Sequence, residues 1–556
     1  MNLRKARLYF DTLRHLKPVQ VWGRMAFRVR RPSPDLRPAP PRRAPTGRWT
    51  APAERLPSMT APHRFRFLNE DHEVAAAADW NDPALAKLLL YNVHYFDDLN
   101  ALGAAERSPW HEQLIRDWIE HNPPACGTGW EPYPLSLRIV NWIKRDLGGR
   151  PLDETARQSL AVQVRYLSQR LEHHLLGNHL FSNAKALVFA GCHFEGVEAA
   201  NWLTCGLEIL SAQIPEQILA DGGHFERSTM YHALAYEDML DLVNLAATFP
   251  EALAPWAAAI AGWRERPREM GKWLAAMCHP DGEIAFFNDA APGVAPAPAR
   301  LFDYAERLGY DRPAAGGDGV TWLKPSGYVR LQSGPAVVLI DVAPVGPDYL
   351  PGHAHADTLS FELSLGGQRV IVNSGTSRYG VGPERQRERA TAAHSTVEVD
   401  GQDSSEVWGG FRVARRARVF DVCAAAHDAV LEVRAAHDGY ARLAGRPIHR
   451  RTWRLSDGAL EVADRIEGDC RTAVARYHFH PAIDIGIEGS GGSVAGLGGD
   501  ARWSAEAGDV AVRKSAFAPA FGKILDNSCL EVRLVQREAV FRLGWDSRGR
   551  PREEMN

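Results

Sequence analysis

The chain has 556 residues, 45% hydrophobic and 24% charged, with a formal net charge of −3. That length exceeds the roughly 100–200 residues of one domain, so two or more cores are expected in a globular protein with no bulk attraction for nucleic acid or acidic membranes. Seven scattered cysteines without a Cys-x-x-Cys pair exclude a disulfide framework or zinc ribbon, and no stretch approaches the ~20 apolar residues of a membrane span.

Residues 1–45 form the first unit. Arg4, Lys5, Arg7, Arg14, Lys17, Arg24, Arg28, Arg30 and Arg31 concentrate positive charge there, with very few acids. The pattern predicts one or two amphipathic helices. A Pro/Arg-rich linker follows from Arg31 to Arg43, where five prolines disfavour regular structure. Such an arm either touches a membrane surface or anionic polymer, or lies as a solvated helix on the body. No apolar leader or small-residue cleavage site follows its first basic residues. The cytoplasm is therefore the default expectation, and a periplasmic or secreted location would need a non-standard route.

From about residue 80 to 310 the period is helical. Leu160, Val164, Leu167, Leu171 and Leu175 recur at three- and four-residue steps, and Gly177 reads as their stop. Similar stripes run through 104–120, 135–147, 197–213, 231–248, 254–263, 267–278 and 299–308, a succession of antiparallel helix pairs within a second unit over 46–318. After Gly316-Gly317 the period becomes two. Short runs such as Tyr328–Leu331, Ala336–Val342, Leu359–Leu365, Arg369–Asn373, Val430–Ala435 and Leu460–Ile466 are separated by Gly, Asp and Pro, the pattern of an antiparallel sandwich over 319–556. The fold class is α+β multidomain: a helical half followed by a β half, with a cleft expected between them.

Three polar clusters interrupt these patterns. Gly177-Asn178-His179-Leu180-Phe181-Ser182-Asn183 follows the Leu160–Leu175 stripe. Asp221-Gly222-Gly223-His224-Phe225-Glu226-Arg227-Ser228-Thr229-Met230-Tyr231-His232 is a glycine turn opening the next helix. Gly352-His353-Ala354-His355-Ala356-Asp357 leads into an alternating segment of the β half, followed by Val372-Asn373-Ser374 and Ala393-His394-Ser395. Two imidazoles one residue apart at the mouth of a strand suit proton transfer or metal binding. Each residue also has a plainer reading. Asn178 serves as a helix cap, Tyr231 packs on a helix wall, and His224 and His232 are hydrogen-bonded scaffold. Glu226 acts as a general acid or holds Arg227 or a neighbouring loop. Trp130 and Tyr133 stack on sugar rings or pack in the core, near a helix carrying Arg138 and Asn141. Tyr379 is a further acid or a surface loop residue. His478-Phe479-His480 reads as strand alternation.

Taken in this order, the clusters resemble the heparinase II/III family of polysaccharide lyases over roughly residues 85 to 480. The resemblance implies an incomplete α/α toroid followed by an antiparallel β-sandwich, and β-elimination on an anionic, uronate-containing polysaccharide such as a glycosaminoglycan, alginate or bacterial exopolysaccharide. Asn178 and His179 resemble the residues that offset the substrate carboxylate, so that the adjacent proton becomes removable. Tyr231 and His353 resemble the catalytic tyrosine and histidine. A tyrosine is a poor base at its ordinary pKa of about 10, so cations are expected beside it, with His179, Arg227 and His232 as candidates. Trp130, Tyr133, Arg138, Glu226, Arg227 and Tyr379 are expected at the substrate.

The chemistry needs no cofactor. His355 and His394 match metal-ligating histidines of the family, but Asn373 stands where metal-bearing members have aspartate, a departure that leaves a structural zinc and a hydrogen-bonded cluster both open. No nucleic-acid partner is implied, and the oligomeric state is not legible. Two other readings stay open. One is a glycoside hydrolase using two of Glu131, Glu226 and Asp289 across about 5–10 Å. The other is a non-catalytic binding partner in exopolysaccharide assembly.

Overall fold

The computed structural model describes residues 3–546 apart from Ala315, Gly498 and Ala507. Its N-terminal part is helical and its C-terminal part rich in sheet. The arm consists of helices α1 (Leu3–Leu13) and α2 (Pro18–Val29). Pro18 stands at the start of α2, where its missing N–H is no loss. Tyr9 meets Trp408 edge-on with ring centres 4.8 Å apart, and Gln20 donates to Tyr349 O at 3.1 Å, so the arm lies along the body. Arg165 holds the linker behind it by donating to Arg37 O and Pro38 O.

A three-stranded antiparallel sheet comes next: β1 (Met59–Ala61), β2 (Arg64–Phe67) and β3 (Glu70–Glu73). The 46–318 unit is therefore not wholly helical. Strands of three or four residues offer too few alternations to reveal a period of two. Helices α3 (Lys87–Tyr95), α4 (Ser108–His121), α5 (Pro132–Leu147), α6 (Glu154–Ser168), α7 (Gly177–His193), α8 (Val197–Gln217), α9 (Thr229–Thr248), α10 (Pro250–Leu253), α11 (Ala257–Ala276) and α12 (Pro298–Arg307) follow. Helix α5 packs on α6 and α7, α7 on α8, and α9 on α11 and α12. Trp80, Trp118 and Trp142 lie fully buried in their common core. None of the described helices is long and apolar enough to cross a membrane.

Two boundaries differ from the sequence reading. Helix α6 stops at Ser168, so Leu171 and Leu175 lie outside it, and Gly177 opens α7 instead of closing a helix. Leu176 and Gly177 both have positive φ, and a Cβ on Gly177 would meet the Leu350 side chain at 2.2 Å; the turn into α7 needs glycine there. The stripes at 254–263 and 267–278 are one helix, α11, which runs through Pro267.

The β half starts with a five-stranded antiparallel meander of β4 (Gly319–Leu323), β5 (Tyr328–Ser333), β6 (Ala336–Asp341), β7 (Phe361–Leu365) and β8 (Gln368–Ile371). Strand β7 begins at Phe361, later than the alternation from Thr358 suggests, because Leu359 adopts a positive φ within a turn. A helix, α13 (Pro383–Arg389), interrupts the strands. An eight-stranded sheet and a four-stranded sheet complete this half. Phe361, Trp453, Tyr477 and Phe541 come from all three sheets and share one buried core. Trp273 and Met277 at the end of α11 and just beyond it pack with Tyr328, Val337 and Leu339, which fixes the sheet half against the helical half.

Candidate active site

Tyr231 and His353 are 122 residues apart in sequence, yet their rings meet with centres 3.9 Å apart and planes tilted by 31°. Ser228 caps α9 by accepting the Tyr231 N–H at 3.1 Å, so the tyrosine sits on the first turn of a rigid helix. His353 arrives on the loop between β6 and β7. Tyr379 joins them, its hydroxyl 3.2 Å from that of Tyr231. Burial, with the two neighbouring phenols Tyr379 and Tyr133, pushes the Tyr231 hydroxyl well above its ordinary pKa. The cations expected beside it do not lower it. His232 faces Met270 O at 3.0 Å and is driven down to about 3 by burial, and Arg227 donates to Ser326 O and Phe225 O.

An anionic hub holds the histidine loop. Asp289, just after Asn288 in the segment between α11 and α12, faces His353 Nδ1 with Oδ2 and His355 Nε2 with Oδ1, each at 2.8 Å. Arg385 of α13 grips the same carboxylate with both guanidinium nitrogens. Burial would raise the Asp289 carboxyl, but Arg385 and the two histidine hydrogen bonds outweigh it and hold the group well below the usual range. The Asp289 amide also donates to His353 O at 3.0 Å, so one residue fixes both the backbone and the ring of the histidine. Asn288 has a positive φ, donates to Arg227 O, and accepts the His355 N–H at 3.0 Å. Because an anionic carboxylate faces His353 Nδ1, that nitrogen carries a proton, and Nε2 is the nitrogen turned away from the hub.

That Nε2 points toward Glu226, whose Oε2 is 3.7 Å away. Glu226 is 2% exposed, and neither carboxylate oxygen accepts a well-formed hydrogen bond. Burial raises its pKa, and the opposing pull of His353 and the Asn178 amide does not cancel the effect. Glu226 thus faces His353 and does not hold Arg227.

Asn178 and His179 stand on the first turn of α7. Asn178 and Tyr231 line one small cavity of about 20 Å³ with Tyr133, Gln217 and Asp238. His179 stacks on Tyr133 at 4.4 Å and places Nδ1 3.1 Å from Glu172 Oε1. Burial would lower the His179 pKa, but Glu172 raises it overall. His179 and Glu172 also line an adjoining cleft of about 410 Å³, together with Tyr91, Trp130, Arg170 and Phe27 of the arm.

Two expected substrate residues lie elsewhere. Arg138 is fully buried, donates to Gln163, Gly129 O and His94 O, and lies 3.8 Å over the Trp118 ring. Arg227 is turned toward the sheet half, as described. Trp130 lines the cleft but is 3% exposed, packs on Trp118 and Tyr166, and donates to Asn122 O. Asp289 as an orienting group, together with Arg385 and Glu172, escaped the sequence reading.

The residues matching a metal site form a hydrogen-bonded string. His355 Nδ1 lies 3.3 Å from His394 Nε2, and His394 Nδ1 lies 3.2 Å from Asn373 Oδ1. Burial drives both histidines down to about 4, so both are neutral. The third donor is an uncharged amide whose oxygen is engaged and whose nitrogen is buried without a partner. Among the described residues no three His, Cys, Asp or Glu side chains gather as a metal set. The donors present do not fit a zinc site. His478 is buried against Ala392 O at the end of its strand and His480 lies partly exposed beyond it.

The fold aligns with a structure titled heparinase III at a TM-score of 0.66 and 17% identity, covering 86% of this chain and 79% of that one. Residues 106–306 match the family model described as Heparinase II/III N-terminus, and residues 315–543 that described as Heparinase II/III-like, C-terminal. The chain belongs to the heparinase II/III family. Curated relatives include a heparin-sulfate lyase of Bacteroides stercoris, 26% identical over 53% of this chain and 50% of the relative. Another is the FtsZ-localized protein C of Caulobacter vibrioides, 27% identical over 58% of this chain and 54% of the relative. A further heparin-sulfate lyase, of Bacteroides thetaiotaomicron, is 32% identical over 24% of this chain and 21% of its own length. The matches thus span from about a fifth to about half of these relatives.

Proposed function

We propose that the chain is a lyase that cleaves a uronate-containing polysaccharide by β-elimination, working in the cleft between an incomplete α/α toroid and an antiparallel β-sandwich. The observation that carries the reading is the convergence of Tyr231 from α9 and His353 from the sheet half, beside Asn178 on the first turn of α7. Asn178 and His179 bind the substrate carboxylate. Charge on His179, supported by Glu172, offsets the negative charge that grows as the neighbouring C–H breaks. His353 Nε2 takes that proton, and Asp289 steadies the imidazolium that results. Tyr231, protonated in its buried setting, donates to the glycosidic oxygen as the C–O bond breaks. Among candidate polymers the lyase relatives favour a glycosaminoglycan, with alginate and bacterial exopolysaccharide as the other classes to assay.

The hydrolase reading loses its second carboxylate. Both oxygens of Asp289 are engaged by Arg385, His353 and His355, and Glu131 pairs with Lys87 and Tyr91. The His355–His394–Asn373 string orients the loop without a metal in this proposal. One relative's name states localisation and no chemistry, so the site, more than the family, supports catalysis. The test is ultraviolet absorbance of unsaturated uronate during incubation with uronate polymers, wild type beside Tyr231→Phe. A signal lost in the variant supports elimination. Reducing ends without that absorbance overturn it in favour of hydrolysis, and binding without either product makes the chain a non-catalytic partner.

A further inference from the structure

We propose that the arm, residues 3–31, seats this protein on the surface of an anionic lipid bilayer. In α2 only Gln20, Gly23 and Phe27 are withdrawn from solvent, a stripe at three- and four-residue steps that docks on the body. Gly23 lies against His174, Phe27 stacks on the same ring at 4.3 Å, and Gln20 reaches Tyr349 O. At ~100° per residue, Val21, Trp22, Met25 and Val29 fall within an arc of ~100° on the opposite side. They are 45%, 70%, 47% and 82% exposed. In α1, Leu3, Phe10 and Leu13 share an arc of ~80° and are 88%, 66% and 55% exposed. Both helices therefore grip the body with one face and turn an uncovered apolar face outward.

The surrounding charge selects the partner. Residues 3–31 hold nine Arg and Lys against a single Asp. Lys5, Arg24, Arg28, Arg30 and Arg31 have no carboxylate partner among the described residues. A basic helix bearing Trp, Leu, Val and Met on its free face matches an interfacial anchor, whose apolar side enters ~5–10 Å into the headgroup boundary while Lys and Arg meet anionic lipid. A polysaccharide would be read by cations and flat aromatic faces and has no use for Leu3, Leu13 or Val29. No described helix is long and apolar enough to span the bilayer, so the contact lies in the interface plane.

The test is co-sedimentation of the full chain with vesicles of phosphatidylglycerol and phosphatidylcholine, against phosphatidylcholine alone, at 0.1 and 0.5 M salt as chosen from a screening length of ~10 Å falling toward ~3 Å. Binding to the mixed vesicles should fall at least tenfold in the Trp22→Glu/Val29→Glu variant, at least tenfold in Phe10→Glu, and markedly at the higher salt. All three substitutions sit at exposed positions, and far-ultraviolet circular dichroism with thermal melts verifies that the variants fold. Three results would overturn the proposal: no sedimentation with the mixed vesicles, sedimentation indifferent to these substitutions, or a soluble anionic polysaccharide bound equally by wild type and both apolar variants. Self-association abolished by Trp22→Glu, without vesicle binding, would assign the face to a second copy instead.

Discussion

Replacing Asp289 by asparagine keeps the side-chain shape and removes the charge on which Arg385, His353 and His355 converge. Arg385 is 1% exposed, so the variant leaves a guanidinium buried without its carboxylate, and the new amide offers N–H groups to partners that also donate. Breaking a buried pair in this way typically costs about 3–5 kcal/mol. The stability from a depressed carboxyl is fully present above its unfolded pKa of about 3.9 and is lost as pH falls through the lower folded value. The gap between wild type and variant should therefore be full at pH 7 and close only below about pH 4. Elimination should fall about 10²–10⁴-fold, because His353 loses the group that fixes its tautomer and orientation. Adding Arg385→Met removes the orphaned cation, so most of the stability should return while activity stays lost. Urea unfolding of wild type, both single variants and the double variant at pH 4 and 7, with turnover measured alongside, completes the cycle. An Asp289→Asn protein within about 1 kcal/mol of wild type at pH 7, or one fully active, would refute the reasoning.

Tyr231→Phe removes one hydrogen bond to Tyr379, so stability should change by about 1 kcal/mol or less while turnover falls at least ~100-fold; melts and product absorbance measure the two separately. Glu226→Gln should behave differently. A raised carboxyl contributes stability below its unfolded pKa of about 4.3 that is lost as pH rises toward the folded value. The variant should accordingly gain on wild type as pH rises above about 4.3 in thermal melts, with the difference gone at pH 4. Glu172→Gln withdraws the carboxylate that supports charge on His179, so KM for a uronate polymer should rise several-fold near neutral pH and less at pH 5, with kcat changed little. Steady-state kinetics across that range checks it.

The two clusters on α7 and α9 and the His353 loop were legible because glycine turns and histidines break otherwise regular apolar periods. The hub was not. Asp289 lies 64 residues from His353 and 96 from Arg385, and a single sequence holds no signal that joins them. Arg385 sits in Pro383-Glu384-Arg385-Gln386-Arg387-Glu388-Arg389, a run of charges that reads as a solvated helix, yet Arg385, Glu388 and Arg389 are all buried. Arg138 errs in the other direction. A charged residue five positions after Tyr133 and four before Trp142 invites a ligand reading, but its guanidinium satisfies backbone carbonyls in the core. Pro267 misled for a local reason, since a proline usually interrupts the ladder of hydrogen bonds and here the helix passes through it.

The hub also limits how members of this family can be recombined. Tyr231 and Glu226 come from the helical half, Asp289 from the segment that leaves α11, and His353 and Arg385 from the sheet half. A chimera that exchanges one half to acquire a new polymer specificity therefore cuts between residues whose charges balance only together. A crossover after α12 would transplant His353 with Arg385 but keep the resident Asp289, and it should succeed where the incoming half presents its cation to that same carboxylate. A library built on crossovers between His353 and Arg385 parts the histidine from the arginine and samples mismatched charges instead, and its failures should be insoluble protein before they are inactive protein.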